Sequence, residues 1–73
     1  MRIATHSSIS EITKPVKAKA IDLVWRCIVK VLDDEGRWHV VGHCFLAKDA
    51  EKAVNRIDYA IKHKKEKVDV NIS

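Results

Sequence analysis

Residues 22–46 read D-L-V-W-R-C-I-V-K-V-L-D-D-E-G-R-W-H-V-V-G-H-C-F-L, and the way the two halves of this stretch pair decides the fold. Segments 22–32 and 37–46 are rich in β-branched and aromatic residues, the composition of strands. Between them, D-D-E-G (33–36) has an acidic start and a glycine suited to positive φ, which is a turn signature. Two strands joined by so short a turn form an antiparallel hairpin.

Side chains alternate across a strand, so each arm has two faces. A two-residue or a four-residue loop around D-D-E-G pairs Val31 with Trp38, Val29 with Val40, Cys27 with Gly42, and Trp25 with Cys44. With Leu23 and Leu46, these residues make one wholly apolar face, the expected core, in which Trp25 and Trp38 are anchors. The same register places Val24 opposite Phe45, Arg26 opposite His43, Ile28 opposite Val41, Lys30 opposite His39, and Leu32 opposite Arg37 on the other face.

The cover for the core face follows directly. Ala50, Ala53, Val54, Ile57 and Ile61 fall on one stripe at helical spacing, predicting a single long helix over about 49–65. Asp49 in its first turn and His63, Lys64 and Lys65 in its last suit the helix dipole. Asp58 and Lys62 stand at the spacing of a favourable ion pair. Tyr59 falls off the stripe and is a candidate dimer contact. The segments 16–20 and 68–72 also alternate and are candidates for additional edge strands. S-I-S-E (8–11) fits a capping box, and Pro15 would limit that helix to about two turns. Residues 1–14 are therefore expected as an N-terminal arm, either mobile or a short helix, ahead of one domain at 15–73. The fold class is α+β, a small antiparallel sheet built on the hairpin and packed on one face by the helix.

Bulk composition narrows the function. A chain of 73 residues makes one small domain, near the lower limit for folding alone. A binding module or a dimer suits that size better than a deep catalytic cleft. Hydrophobic residues make up 47% of the chain, with two glycines and one proline, which argues for an ordered core. The net charge of +4 favours anionic partners. Two cysteines cannot build a disulfide framework. The N-terminus lacks the apolar core of a signal peptide, and no stretch approaches eighteen apolar residues. A cytoplasmic protein with no membrane partner is the expectation.

Histidines and cysteines invite a chemical reading. His39-x3-His43 has zinc-ligand spacing on a helix, but on a strand the two lie about 13 Å apart, too far for one metal. Cys44 faces away from His43, which argues against a nucleophile–base pair. No dinucleotide, phosphate-loop, zinc-protease or C-x-x-C motif occurs. No cofactor, metal or enzymatic activity is expected.

The uncovered face is more informative. Basic residues opposite one another repel, and a sequence shaped by stability alone would place a carboxylate in each pair. Arg26, Lys30, Arg37, His39 and His43, with Val41 and Phe45 as apolar contacts, therefore form the candidate binding surface, with Lys48 beside it. Imidazoles titrate near neutral pH, so protonation would add charge there. Lys62, Lys64 and Lys65 in K-H-K-K-E-K are either a solvated helix end or accessory phosphate contacts. Over residues 23–65, the element order with W-R-C-I-V-K-V and F-L-A-K-D-A-E-K-A resembles small sheet-plus-helix DNA-binding modules of the phage-integrase arm-binding type. That resemblance implies strands that read DNA and a helix that braces them from behind. The expected function is nucleic-acid binding through this face. The alternative is a phage- or mobile-element-type inhibitor or regulator that uses it on an acidic surface of a host protein. A homodimer is open in either case.

Overall fold

A computed structural model describes residues 1–73. In chain order it contains β1 (Arg2–Ala4), β2 (Ile9–Glu11), β3 (Pro15–Asp22), β4 (Cys27–Asp33), β5 (Trp38–Cys44), α1 (Ala47–Lys62) and β6 (Lys67–Asp69). The class is α+β. One sheet is antiparallel in the order β3-β4-β5, and the second has the order β2-β1-β6, with β1 antiparallel to β2 and parallel to β6.

The β4–β5 hairpin has a different register from the one expected, and its turn explains why. The Asp33 amide donates to the Arg37 carbonyl at 3.0 Å, the Gly36 amide donates to the Asp33 carbonyl at 3.3 Å, and Gly36 has φ +82°. The loop is therefore three residues long (Asp34, Glu35, Gly36), a turn closed by a glycine in the left-handed region. An odd loop length inverts the pairing parity that a two- or four-residue loop gives. Near the turn, Leu32 pairs with Trp38, Val31 with His39 and Lys30 with Val40. A bulge at Val41 then adds one residue to β5, and beyond it Val29 pairs with Gly42, Ile28 with His43 and Cys27 with Cys44.

The bulge restores the expected faces for Gly42, His43 and Cys44 and leaves those before it inverted. Trp38 and Val40 leave the core for the outer face, while His39 turns to the core side and Val41 becomes fully buried. The first arm is also shorter than expected. Residues 23–26 connect β3 to β4, closed by the Leu23 amide on the Arg26 carbonyl at 2.7 Å. Neither Leu23, Trp25 nor Leu46 is in the core; Trp25 is 83% exposed.

Candidate strand 16–20 lies within β3. Segment 68–72 is split: Val68 and Asp69 belong to β6, and the following residues form a tail that bridges the two sheets. Val70 donates to Ala4 and Ile72 accepts from His6, while Ser73 and His43 exchange backbone bonds at 2.8 and 3.0 Å. Residues 1–14 form neither a free arm nor a helix. S-I-S-E lies across the Ser8 turn residue and β2, and Ile3 and Ile12 are buried. Burial of these two isoleucines outweighs the local capping signal.

The helix ends at Lys62, short of the expected 65, because Lys64 adopts φ +53° and turns the chain. Ala50, Ala53, Ile57 and Ala60 are its buried face. Asp58 does not pair with Lys62; its Oδ1 accepts from the Ala18 amide at 2.8 Å and satisfies an outward group of edge strand β3. The core joins Ala50, Ala53 and Ile57 of the helix to Cys27, Val29, Val31 and Val41 of the first sheet. Ile3, Ile12, Val70 and Ile72 close it from the second sheet and the tail.

Candidate binding face

With α1 behind the first sheet, the sheet's other side is free of helix. The register of β3 on β4 and of β4 on β5 arranges three cross-strand rows there: Lys17–Leu32–Trp38, Lys19–Lys30–Val40 and Ile21–Ile28–His43. Strand alternation explains the sorting. Even positions of β4 face outward, half-buried, while Cys27, Val29 and Val31 face inward, buried. In P-V-K-A-K-A, a bulge between Pro15 and Lys17 sets the phase that turns Ala18 in and both lysines out.

Lysine chemistry dominates these rows. Lys19 and Lys30 are direct register partners. None of Lys17, Lys19 and Lys30 is ion-paired, and no carboxylate stands in the three rows. Lys17 and Lys19 reach across the central strand to Trp38, with their ammonium groups 6.0 and 4.1 Å from its ring centroid. Such cation–π contacts contribute about 0.5–1 kcal/mol at exposed sites, enough to bias the side chains and too little to lock them.

The candidate residues from the sequence divide. Lys30 and His43 lie on the face, and exposed Arg26 and Phe45 flank one end of it. Arg37 stays in the turn, paired with Glu35 and, at 3.8 Å, with Asp33. His39 points to the opposite side, its Nε2 2.7 Å from Asp33 Oδ2, and Val41 is in the core. Lys48 is in the first turn of α1. Lys62, Lys64 and Lys65 lie at or beyond its other end, about 24 Å away for 16 residues of helix. The lysine rows and these groups do not form one cluster. Lys17, Lys19, Trp38 and Val40 were missed. The equal parity of Lys17 and Lys19 in an alternating segment was the available signal for the first two.

Asp33 organises the turn. Its Oδ1 accepts from the Glu35 and Arg37 amides, each at 2.9 Å. The hydrogen bond to His39, then that from the Arg37 amide, holds its pKa down at about 2. The thiols are directly opposed on the core side. The hydrogen bond to Asp22 (3.1 Å), reinforced by burial, pushes Cys27 up to about 11. Burial, reinforced by Asp49, raises Cys44. No three His, Cys, Asp or Glu side chains lie within joint reach of a metal ion. No helix is long and apolar enough to cross a membrane. Comparison with protein-family models, curated proteins and solved structures found no match.

Proposed function

We propose that the chain is a small nucleic-acid-binding protein whose contact surface is the outer face of β3-β4-β5. The observation that carries this reading is the direct opposition of Lys19 and Lys30 without a carboxylate between or beside them. Like charges at opposed strand positions destabilise a sheet. Lysines on an edge strand protect it from unwanted pairing, which accounts for Lys17 and Lys19 on β3. Lys30 is on the central strand, so edge protection leaves it unexplained. A phosphate backbone laid along the face would relieve the repulsion and release counterions. Arg26 extends the positive surface at one end, with the His43 ring beside it as a hydrogen-bonding group, and Trp38 supplies an aromatic side chain at the other.

A second reading rests on the apolar residues between the charges, Ile21, Ile28, Leu32 and Val40, of which Val40 is 60% exposed. They suit an acidic protein surface, such as that of a host protein held by a small inhibitor or regulator. Salt separates the two readings. Contact with about three phosphates of duplex DNA gives a log–log slope of affinity against salt near −2.7. A protein partner held by the apolar rows would instead be lost on Val40→Ser and show a shallower slope. Replacing Lys30 with glutamate tests the first reading: binding to DNA or RNA oligonucleotides should fall at least tenfold. Binding unchanged by Lys30→Glu would remove this face from the site.

A further inference from the structure

Five of the nine exposed large hydrophobic residues gather at one end of the first sheet, outside the lysine rows. Asp22 pairs with Cys27 and Cys27 with Cys44, so the connection 23–26 and the junction 45–46 leave the sheet at the same end. Leu23, Val24, Trp25, Phe45 and Leu46 are 47, 90, 83, 76 and 53% exposed.

Local chemistry argues against these residues at both places. A four-residue strand connection favours Gly, Asn, Asp or Pro, and this one is Leu-Val-Trp-Arg, with Val24 and Trp25 both strongly exposed. The N-cap position of α1 favours Ser, Thr, Asp or Asn. Leu46 holds it, with no side-chain cap for the first-turn amides. Two independent positions thus carry large apolar groups where the isolated fold favours small or polar ones.

The rim carries both signs. Asp22 and Asp49 lie near the cysteine pair, Arg26 immediately precedes Cys27 and Lys48 immediately precedes Asp49, and none of the four is ion-paired. In a twofold interface the same patch meets itself, so a rim bearing both acids and bases offers each sign a partner on the other copy, which a rim of one sign would not. The five apolar side chains expose on the order of 600 Å², counting aromatics at about 150–250 Å² each. That approaches the roughly 800 Å² a partner contributes to a standard interface.

We propose that this end is a self-association surface. Two copies pack their 23–26 connections and 45–46 junctions together, with Arg26 and Lys48 of one copy against Asp22 and Asp49 of the other. The proposal rests on no observation used for the nucleic-acid reading; Arg26 alone is claimed by both, and in a dimer it faces the partner's carboxylates and leaves the phosphate contact to the lysine rows. If both hold, the dimer carries two lysine faces, and each binding event raises the effective concentration for the next.

Sedimentation equilibrium of the full chain without nucleic acid, from about 1 to 500 µM, tests it over the affinity range expected of a small interface. The mass should rise from 8.3 kDa to twice that value. The double change Val24→Ser and Trp25→Ser, in an exposed connection, should raise the dimer Kd at least tenfold, on the order of a lost aromatic anchor. Leu46→Asp provides a control for folding. It should weaken the dimer yet raise the Tm of the dilute monomer by about 4 °C or more through capping. A mass of 8.3 kDa throughout, or a Kd unmoved by these variants, overturns the proposal. So does a Leu46→Asp variant that loses stability in the dilute monomer. A monomer that floats with vesicles of phosphatidylserine and phosphatidylcholine, dependent on Trp25, would assign this end to a lipid surface instead.

Discussion

Asp33 shows how one side chain fixes a register. It accepts two backbone amides and the His39 ring from within the β4–β5 turn. Its pKa is held near 2 against an ordinary 3.8, so the folded protein favours the carboxylate. The resulting stabilisation is fully present above about pH 4 and is lost as pH falls through 2. Asp33→Asn should therefore lower the urea midpoint at pH 6, with the gap to the native protein closing by pH 2. A gap equal at both pH values would place the effect outside the charge. Cys27 and Cys44 face each other as thiols raised by a carboxylate neighbour and by burial. Alkylation requires thiolate, and a pKa near 11 in place of 9.0 cuts the thiolate fraction at pH 8 about a hundredfold. Iodoacetamide should leave Cys27 unmodified in the folded chain at pH 8 and label both cysteines in denaturant, read by mass spectrometry.

Among the elements, the tail of residues 70–73 depends on Gly42, the residue next to the bulge. A Cβ at Gly42 would lie 2.7 Å from the Ser73 carbonyl oxygen and 2.9 Å from side-chain atoms of Ile72 and Thr5. Gly42 is thus the place where β5 admits the tail. Gly42→Ala should cost about 1–3 kcal/mol as the tail is displaced, seen in urea unfolding together with faster exchange of the Ser73 amide. This dependence was not legible in the sequence, where Gly42 reads only as a small residue on a core face. The alternation of C-I-V-K-V and the helical stripe of Ala50, Ala53 and Ile57 were legible, because each is a local period. The pairing of the two hairpin arms was not. It turns on whether D-D-E-G closes as a three-residue loop and on an extra residue at Val41. A change of one residue in either moves a side chain to the opposite face. Trp38, Val40, His39 and Val41 changed sides for that reason. Ile3 is buried in a strand whose register partner is Val68 of β6, far along the chain, and no local pattern contains that pairing.

For the whole molecule, the two sheets, the helix and the tail enclose one core and leave two surfaces of different character. The lysine rows face away from α1, and the apolar end of the same sheet lies beside them. The sequence predicts a basic face on β4–β5; Trp38 and Val40 take the places expected for Arg37 and His39 there, and Lys17 and Lys19 bring charge from β3, on the other flank of β4. Its arrangement sets stability against binding. Lys30→Glu would convert a repelling cross-strand pair into an attracting one, worth a few tenths of a kcal/mol to about 1 kcal/mol to the free protein. The same change removes a cation from the centre of the proposed contact. The most direct measurement is fluorescence anisotropy of labelled single- and double-stranded oligonucleotides at about 50–200 mM salt, for the native chain and Lys30→Glu, alongside their urea midpoints. The native chain should bind in a salt-dependent way, and Lys30→Glu should bind at least tenfold more weakly with a urea midpoint as high or higher. A native chain that binds no oligonucleotide at the lowest salt, or a Lys30→Glu variant that binds equally well, would contradict the nucleic-acid reading.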